Sequence, residues 1–172
     1  PMLRDTKASG GFRDLMLFDS SGRLIYSVAK EYEFGSNFGA GSPAGNALSK
    51  AVRAALDDQQ YGTQFVDFAS MGEGTPAAFL VGRIEGRPAG VLVARISTEP
   101  LEHIVKGQTG LGETGEVDLI AGDGTLRAGS GTHKVLDPIP AGPALEAAQA
   151  GQVTVLENVV GLDGTQAMVV VD

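Results

Sequence analysis

The fold of this protein is decided by the stretch LFDSSGRL at residues 17–24, in which two short β-rich runs are joined by a glycine turn. A similar stretch, LIAGDGTL, stands 102 positions later at residues 119–126. In each, an apolar run enters a turn that contains glycine and a second run leaves it, which is the pattern of a β-hairpin. The chain therefore carries the same predicted hairpin twice.

A second repeated pattern supports this duplication. The runs GTQFV (62–66) and AAFLV (77–81) are matched, at an offset of 89 positions, by GQVTV (151–155) and QAMVV (166–170). The order of the elements is the same in both halves, although the middle of the second half is shorter. Repeats of this length are duplicated domains and not the short units of a solenoid. We therefore expect two related modules in tandem.

Apolar periodicity predicts the remaining elements of the first half. A glycine-rich loop over 34–45 follows the hairpin, and Ser42 with Pro43 marks the start of an amphipathic helix. Three further strands are expected at 65–69, 77–84 and 90–96. This order predicts an antiparallel five-stranded sheet with its connecting segments on one face, so the fold class is α+β.

The second half repeats this order with one element missing. A short helix from Thr98 to about Lys106 leads into it, and the second hairpin, a helix over 143–150 and two strands then follow. Nothing after them matches the strand at 90–96. We therefore expect the second sheet to be one strand short and to have an open edge that can pair with another chain, which would allow a homodimer.

Composition excludes several classes of protein. The net charge of the 172 residues is −8, so the chain lacks the basic surface that nucleic acid requires. It has no cysteine, which excludes disulfides and thiolate chemistry. No apolar run approaches the length of a membrane span. Pro1 is not a translation start, and we expect the chain to be a segment of a longer protein.

Several short stretches carry a resemblance to a known family. They are DLMLFD (14–19), YSVAKE (26–31), FGSN (34–37), VDF (66–68), PAAF (76–79), GVL (90–92) and GLGETGE (110–116). In these stretches the chain resembles the double Cache (dCache) sensor domains, which lie outside the membrane in bacterial chemoreceptors, histidine kinases and cyclic-nucleotide enzymes. The resemblance covers most of residues 12–130.

The resemblance implies two PAS-like modules, each an antiparallel sheet with flanking helices. Residues 1–105 would form the membrane-distal module, and residues 106–172 a truncated membrane-proximal one. In such proteins the distal module holds the small ligand between its sheet and the covering loops. The long helix that precedes the first strand in this family, and the last strand and exit helix of its proximal module, have no counterpart in the sequence. An Arg and a Trp mark the amino-acid-binding subgroup after the second strand, where this chain has KEY (30–32).

The candidate ligand-binding residues lie after the second strand and on the third and fourth. The polar candidates are Lys30, Glu31, Asn37 and Asp67, and the apolar candidates are Tyr26, Phe68 and Phe79. Lys30 and Glu31 point to opposite faces of a regular strand, so only one of them can enter a pocket. The alternative interpretation is that the charged side chains are an exposed rim and the aromatic side chains ordinary core. The mixed charges favour a small polar or zwitterionic ligand, and the lack of an arginine in this set disfavours a dicarboxylate.

No catalytic, metal or cofactor site is expected. His103 and His133 lack the spacing of a metal-binding helix. The triplet at 129–131 is too short to be GxSxG, and the glycine-rich loop lacks the GxxxxGK[ST] pattern of a phosphate loop. We therefore expect a binding protein and not an enzyme.

These observations predict an extracytoplasmic, periplasmic small-ligand sensor domain of a membrane-anchored signalling receptor, with a chemoreceptor as the first expectation. One alternative is the sensor domain of a histidine kinase or a cyclic-nucleotide enzyme. Another alternative is an intracellular PAS-like or profilin-like module that binds a protein.

Overall fold

The computed structural model divides the chain into two compact units, Pro1–Ser97 and Thr98–Asp172. It describes residues 2–30, 35–39, 47–60, 62–70, 75–86, 88–107, 110, 112–129, 131, 133–162 and 164–172. The sequence placed the module boundary at 105/106, whereas the contacts divide the chain before the helix Glu99–Lys106. This helix packs on a strand of the second unit.

The first unit is built on one antiparallel sheet. Its elements are α1 (Met2–Ser9), β1 (Asp14–Phe18), β2 (Leu24–Ser27), α2 (Ala47–Asp57), β3 (Gln64–Ala69), β4 (Ala77–Ile84) and β5 (Gly90–Ile96). The strand order is β2-β1-β5-β4-β3. The predicted five-stranded α+β architecture is confirmed. The sequence did not predict α1, because its eight residues are mostly polar and show no apolar periodicity. In the structure none of them is buried.

The core of the first unit lies between the sheet and α2. The register places Met16, Val93 and Val81 in one row across β1, β5 and β4, and all three side chains belong to the buried cluster that α2 covers. Phe18 and Phe38 meet edge to face in the same cluster, with ring centroids 5.2 Å apart. Each such buried side chain contributes about 1.5–3 kcal/mol relative to an exposed one. We call this side of the sheet the core face.

The second unit contains two separate two-stranded sheets. Its elements are α3 (Glu99–Lys106), β6 (Asp118–Ile120), β7 (Leu126–Gly129), α4 (Pro143–Gln149), β8 (Thr154–Val160) and β9 (Gln166–Val171). One sheet pairs β6 with β7 and the other pairs β8 with β9. The strands expected from the sequence are therefore present, with ends that differ by a few residues.

The hairpin turns of the two units make the same hydrogen bonds. The N–H of Gly22 donates to the carbonyl of Asp19, and the N–H of Gly124 donates to that of Ala121, each at 2.9 Å. Both glycines have left-handed backbone, with φ of 79° and 77°. Residues other than glycine rarely adopt this conformation. The carbonyl of each glycine also accepts a hydrogen bond from a later segment, from Phe38 in one unit and Ile139 in the other. The duplication seen in the sequence is thus present in the backbone.

The strand pairs of the two units match in register as well. Val66 pairs with Phe79 in the first unit, and Leu156 pairs with Val169 in the second. A register irregularity follows in both, after Val66 and after Leu156. In the first unit β5 pairs with both β1 and β4. Among the described residues of the second unit, no strand takes this central place, and its two hairpins therefore remain separate sheets.

The β8–β9 hairpin is expected to exchange its amide hydrogens faster than β4 and β5. Val155, Met168 and Val170 are 57%, 69% and 64% exposed, so one face of this two-stranded sheet is open to water, whereas β4 and β5 lie inside a five-stranded sheet. Local opening of such elements requires little free energy. Hydrogen–deuterium exchange with peptide mass spectrometry measures this, with β4–β5 of the same chain as the internal control. Equal protection of the two strand pairs would contradict the expectation.

Candidate functional site

Charged and hydroxyl groups gather at one end of the five-stranded sheet. Because neighbouring strands are antiparallel, the beginnings of β1 and β4 and the ends of β2, β3 and β5 lie at the same end. We call it the polar end. Its polar residues are Asp14, Ser27, Lys30, Asp67 and Arg95. The opposite end carries the turn that joins β1 to β2.

A buried hydrogen-bond network occupies β1 and β2 at the polar end. Asp14 and Ser27 are each only 2% exposed. Oδ1 of Asp14 accepts from the N–H groups of Leu15 and Ala29, each at 2.8 Å, and Oδ2 accepts from the hydroxyl of Ser27 at 2.6 Å. Buried polar groups are tolerated when they are bonded in this way. The network therefore fixes the chain where it leaves β2.

The same network determines the backbone of Lys30. The N–H of Lys30 donates to Oγ of Ser27 at 2.8 Å, and Lys30 has a φ of 55°. Left-handed backbone costs a residue other than glycine about 1–2 kcal/mol. The hydrogen bond to Ser27 offsets part of this cost and holds Lys30 in this conformation. The side chain of Lys30 is exposed.

Arg95 lies in the middle of the polar end, on the central strand β5. The register places it directly opposite Asp14 on β1 and opposite Phe79 on β4. It alternates with Val91 and Val93, which belong to the buried core, so Arg95 is on the core face. It is 5% exposed, which is rare for an arginine. A positive charge therefore stands on the covered side of the sheet.

The polar residues chosen from the sequence lie on both sides of Arg95. Lys30 follows β2 and Asp67 is on β3, and these strands are the two edges of the sheet. Four spacings of about 4.8 Å separate the edges, so the two backbones are roughly 19 Å apart. The structure thus brings Lys30 and Asp67 to the same end without bringing them into contact. Whether either contacts a ligand stays a prediction.

The other candidates are distributed more widely. Asn37 pairs with Arg23 before β2, at the end opposite the polar end. Tyr26 pairs with Leu17, whose side chain points away from the core face, and is half-buried. Phe68 is buried at the end of β3, and Phe79 is part of the core. Glu31, and most of the glycine-rich cover over 34–45, lie outside the described residues. That any of the candidates in this paragraph contacts a ligand also stays a prediction.

Asp67 has the exposure that strand alternation predicts. Its carboxylate Oδ1 accepts a hydrogen bond from the N–H of Phe68 at 2.7 Å, and the residue is exposed. It lies within the irregular stretch of β3 between Val66 and Ala69. Such an irregularity locally changes where side chains point, but Asp67 keeps the exposure that alternation predicts.

Sequence reasoning missed Asp14 and Arg95. The sequence contained a signal for each of them. Each charged residue stands at a position where strand alternation requires an apolar side chain on the core face. Arg95 continues the row of Val91 and Val93, and Asp14 continues that of Met16 and Phe18. A charge at such a position needs a specific reason, since burying it unpaired is costly.

Three polar side chains of the second unit hold its hairpin turn. Oδ1 of Asp123 accepts from the N–H and the hydroxyl of Thr125, and Oδ2 accepts from Arg127 at 3.0 Å. The hydroxyl of Thr125 is the first cause that lowers the pKa of Asp123 to about 2, and Arg127 adds to it. In the first unit the Ser21 hydroxyl lowers the pKa of Asp19 in the same way. These carboxylates therefore stabilise turns.

Replacing Asp118 with asparagine is expected to raise the melting temperature at about pH 7 and leave it unchanged at about pH 3. Burial raises the pKa of Asp118, the charge of Glu116 adds to this, and His133 opposes it. A carboxyl whose pKa rises on folding contributes stability below its unfolded pKa, and that stability is lost as the pH rises through the folded pKa. The asparagine side chain does not ionise. The exposed Glu113, changed to glutamine, is the control, and a lower melting temperature of Asp118→Asn at pH 7 would contradict the prediction.

The polar end can bind polar molecules by charge and by hydrogen bonds. Among the described residues, no group of three histidine and carboxylate side chains is placed to hold a metal ion. In the same part of the chain, no helix combines the length and the apolar character that crossing a bilayer requires. The chemistry that the described side chains offer is ionic and hydrogen-bonded recognition next to the aromatic ring of Phe79.

Comparison with known proteins bears on the fold. No family model and no curated protein matches the sequence. Among solved structures, the chain is similar to the extracellular domain of rpHK1S-Z16, a protein assigned as a histidine kinase, with a TM-score of 0.71 and 18% identity. The match covers 98% of this chain and 68% of that domain.

Two further structures share the fold. The ligand-binding domain of the Campylobacter jejuni chemoreceptor Tlp3, solved with 4-methylisoleucine, matches with a TM-score of 0.60 and 16% identity over 87% of this chain and 56% of that one. An extracellular ligand-binding receptor from Desulfohalobium retbaense matches with a TM-score of 0.53 and 12% identity over 74% of this chain and 22% of that one. The fold expected from the Cache resemblance is therefore confirmed: this chain has the fold of extracellular ligand-binding sensor domains.

Proposed function

We propose that this chain is the extracytoplasmic sensor domain of a membrane-anchored signalling receptor and binds a small polar or zwitterionic ligand in its first unit. The observation that carries the proposal is the fold, which is shared over 98% of the chain with the extracellular domain of rpHK1S-Z16. The Cache resemblance of residues 12–130 agrees with it. The proposal is one of binding without catalysis and without a cofactor.

The polar end of the first unit is the proposed site. It combines a buried cation, Arg95, with the Asp14–Ser27 network and the apolar ring of Phe79 on the covered side of the sheet. Small-molecule sites have this composition, an apolar lining with a few fixed polar groups. Lys30, which follows β2, lies at the same end of the sheet. A ligand at this end is therefore within reach of fixed polar groups on the sheet.

The comparisons favour an extracellular receptor over an intracellular module. All three structures are named as extracellular or as ligand-binding domains of receptors, and none is a profilin. They include a protein assigned as a histidine kinase and a chemoreceptor, so the proposal applies to a signalling receptor of either output. A periplasmic location, a membrane-anchored parent and a homodimer are parts of this proposal.

Signalling would follow from a difference in affinity between two states. A ligand shifts a conformational equilibrium only by as much as it prefers one state over the other. The polar end is where such a preference can arise, because the proposed ligand contacts polar groups of several strands there. The resulting change must then reach the part of the receptor that joins the membrane.

A thermal-shift screen of the 172-residue chain against a library of small metabolites tests the proposal. A ligand that binds only the folded state raises the melting temperature, by the equivalent of about 2.7 kcal/mol at 100 times its Kd. We expect binding of a hit to weaken in Lys30→Ala or Asp67→Ala and to persist in the control Glu157→Ala, which is exposed on β8. A hit that binds normally to the first two variants and is lost on substitutions within 117–171 would move the site to the second unit. A library with no hit at all would contradict the sensor function.

A further inference from the structure

The strand β9 has one edge that is not paired with any described strand. Among the strands that the structure describes, β8 alone is hydrogen-bonded to β9. The counterpart of β9 in the first unit is β4, since Val169 corresponds to Phe79, and β4 pairs with β3 on one side and with β5 on the other. An unpaired edge presents a row of N–H and C=O groups that can bind another strand. The first unit therefore indicates that an antiparallel strand fits this edge.

We propose that β9 pairs with β9 of a second copy of this chain, so that the two β8–β9 hairpins form one four-stranded antiparallel sheet. Two identical strands that pair in antiparallel fashion are related by a two-fold axis, which is the symmetry of most dimers. This inference rests on the proposed function, because it names the contact surface of the homodimer that is part of that proposal.

The sequence of β9 allows two identical copies to meet. Its six residues, QAMVVV over Gln166–Val171, include no charged residue and no proline, the usual protection of an edge strand. In a chain with a net charge of −8, such a strand brings no like charges opposite each other. The other strands that border a sheet carry a charged residue or are shorter: β3 with Asp67, β6 with Asp118, β7 with Arg127, β8 with Glu157, and β2 with only four residues.

The exposed side chains of β9 also favour pairing. Met168 and Val170 are 69% and 64% exposed and are on the same face of the strand. In the proposed register Val169 lies on the two-fold axis, and Met168 of each copy stands opposite Val170 of the other. Residues directly opposite each other in an antiparallel pair have their side chains in contact on one face. Pairing therefore removes from water apolar surface that a single hairpin exposes.

The outer edge of β8 limits the assembly to two copies. β8 has an extra residue relative to β9 between Leu156 and Val159, and Asn158 in this stretch has a φ of 57°. Glu157 beside it is exposed. An irregularity of this kind and a charge both hinder the addition of another strand. Because the two β8 strands are the edges of the four-stranded sheet, the dimer is closed.

The isolated chain is expected to associate weakly, because one pair of strands forms a small interface. Interfaces well below the standard size of about 1,600 Å² are typical of weak contacts. In the proposed membrane-anchored receptor two copies are held close together, and such tethering gives an effective concentration of about 1 mM. A dimer with a Kd below this value in solution therefore forms in the receptor.

The first test uses the unmodified 172-residue chain. Sedimentation equilibrium is measured at increasing concentrations up to about 1 mM, and we expect a reversible equilibrium between monomer and dimer. Hydrogen–deuterium exchange at the lowest and highest concentrations locates the contact. We expect exchange in β9 to be fast in the monomer and to slow in the dimer, with β4 and β5 unchanged. A chain that stays monomeric, or that forms ever larger species, overturns the inference.

The second test changes the charge of β9. Met168→Lys/Val170→Lys places like charges opposite each other across the axis, and we expect the Kd of the dimer to rise about tenfold or more. Met168→Glu/Val170→Glu should weaken it similarly, whereas an equimolar mixture of the two variants should form a heterodimer. The control is Phe65→Lys, at a side chain of β3 that is 58% exposed, and it should leave the Kd unchanged. Circular dichroism establishes folding, and if the double variants do not fold, the exchange measurement decides.

The third test asks whether the same contact forms in the membrane-anchored parent. The 172 residues contain no cysteine, so Val169→Cys introduces one thiol that faces its copy across the axis. We expect mild oxidation to yield a disulfide-linked dimer, and Phe65→Cys to yield none. If the isolated chain dimerises but Val169→Cys does not cross-link in the parent, another segment covers β9 there and the inference is overturned.

The outcomes separate this inference from ligand sensing. A monomeric chain that binds a metabolite in the thermal-shift screen keeps the sensor function and overturns the dimer. A dimeric chain that gives no hit keeps the dimer and contradicts the sensor function. Association that persists in the double lysine variant, or a mixture of the two charge variants without a heterodimer, places the contact elsewhere and overturns the role of β9.

Discussion

Replacing Asp14 with alanine is expected to lower the free energy of unfolding by about 3–5 kcal/mol, the usual cost of breaking a buried charged network. The substitution leaves the N–H groups of Leu15 and Ala29 and the hydroxyl of Ser27 without their acceptor, and Ser27 is only 2% exposed. Domains are stable by only about 5–15 kcal/mol. Urea denaturation followed by circular dichroism measures the loss.

Asp57 is the matched control for this experiment. It is exposed at the last position of α2, where a negative charge is unfavourable to the helix dipole. Asp57→Ala is therefore expected to change the free energy of unfolding by less than about 0.5 kcal/mol. If Asp14→Ala were as stable as this control, the Asp14–Ser27 network would not support the end of β2, and the account of the proposed site would have to be revised.

Replacing Phe79 with alanine is also expected to cost about 3–5 kcal/mol, because it leaves a large cavity in a packed core. Phe79 is 1% exposed and belongs to the buried cluster between the sheet and α2. The same urea titration measures this effect. A loss below about 1 kcal/mol would contradict the burial that the structure gives this ring.

Phe65 provides the control on the neighbouring strand. It pairs with Leu80 on β4, one position along from the Val66–Phe79 pair, and its ring is 58% exposed. Phe65→Ala is therefore expected to change stability by no more than about 0.5 kcal/mol, as exposed positions usually do. The comparison also bears on ligand binding, since a binding defect in Phe79→Ala has to be separated from its loss of stability.

The repeated hairpin shows which features of the fold local sequence can predict. The stretches at 17–24 and 119–126 predicted equivalent turns, and Gly22 and Gly124 have nearly the same φ and the same hydrogen bond. Turns are predictable in this way because the interactions that fix them are local. A glycine takes the left-handed backbone, and a short polar side chain bonds to the backbone within a few residues. The predicted offset of 89 for the second pair of strands differs by one from the observed pairing, in which Val66 and Phe79 correspond to Leu156 and Val169.

The candidate site was less predictable, because its residues come from different strands. Lys30 and Asp67 were chosen for their position in the sequence, and the structure places them on opposite edges of the sheet. Arg95 was not chosen, although it lies between them. Proximity across a sheet depends on the order of its strands, and a single sequence specifies that order only weakly.

The amino-acid sequence by itself determined the duplication, the class of the fold and the positions of the hairpins, because alternating apolar residues and glycine turns act locally. Only the tertiary structure decided that β5 is the central strand of the first sheet and that the two hairpins of the second unit stay separate without its equivalent. It also decided that Arg95 faces the core beside Asp14 and Phe79. The physical reason is that strand order and register are set by pairing between distant segments, where burial of one whole face selects a single arrangement.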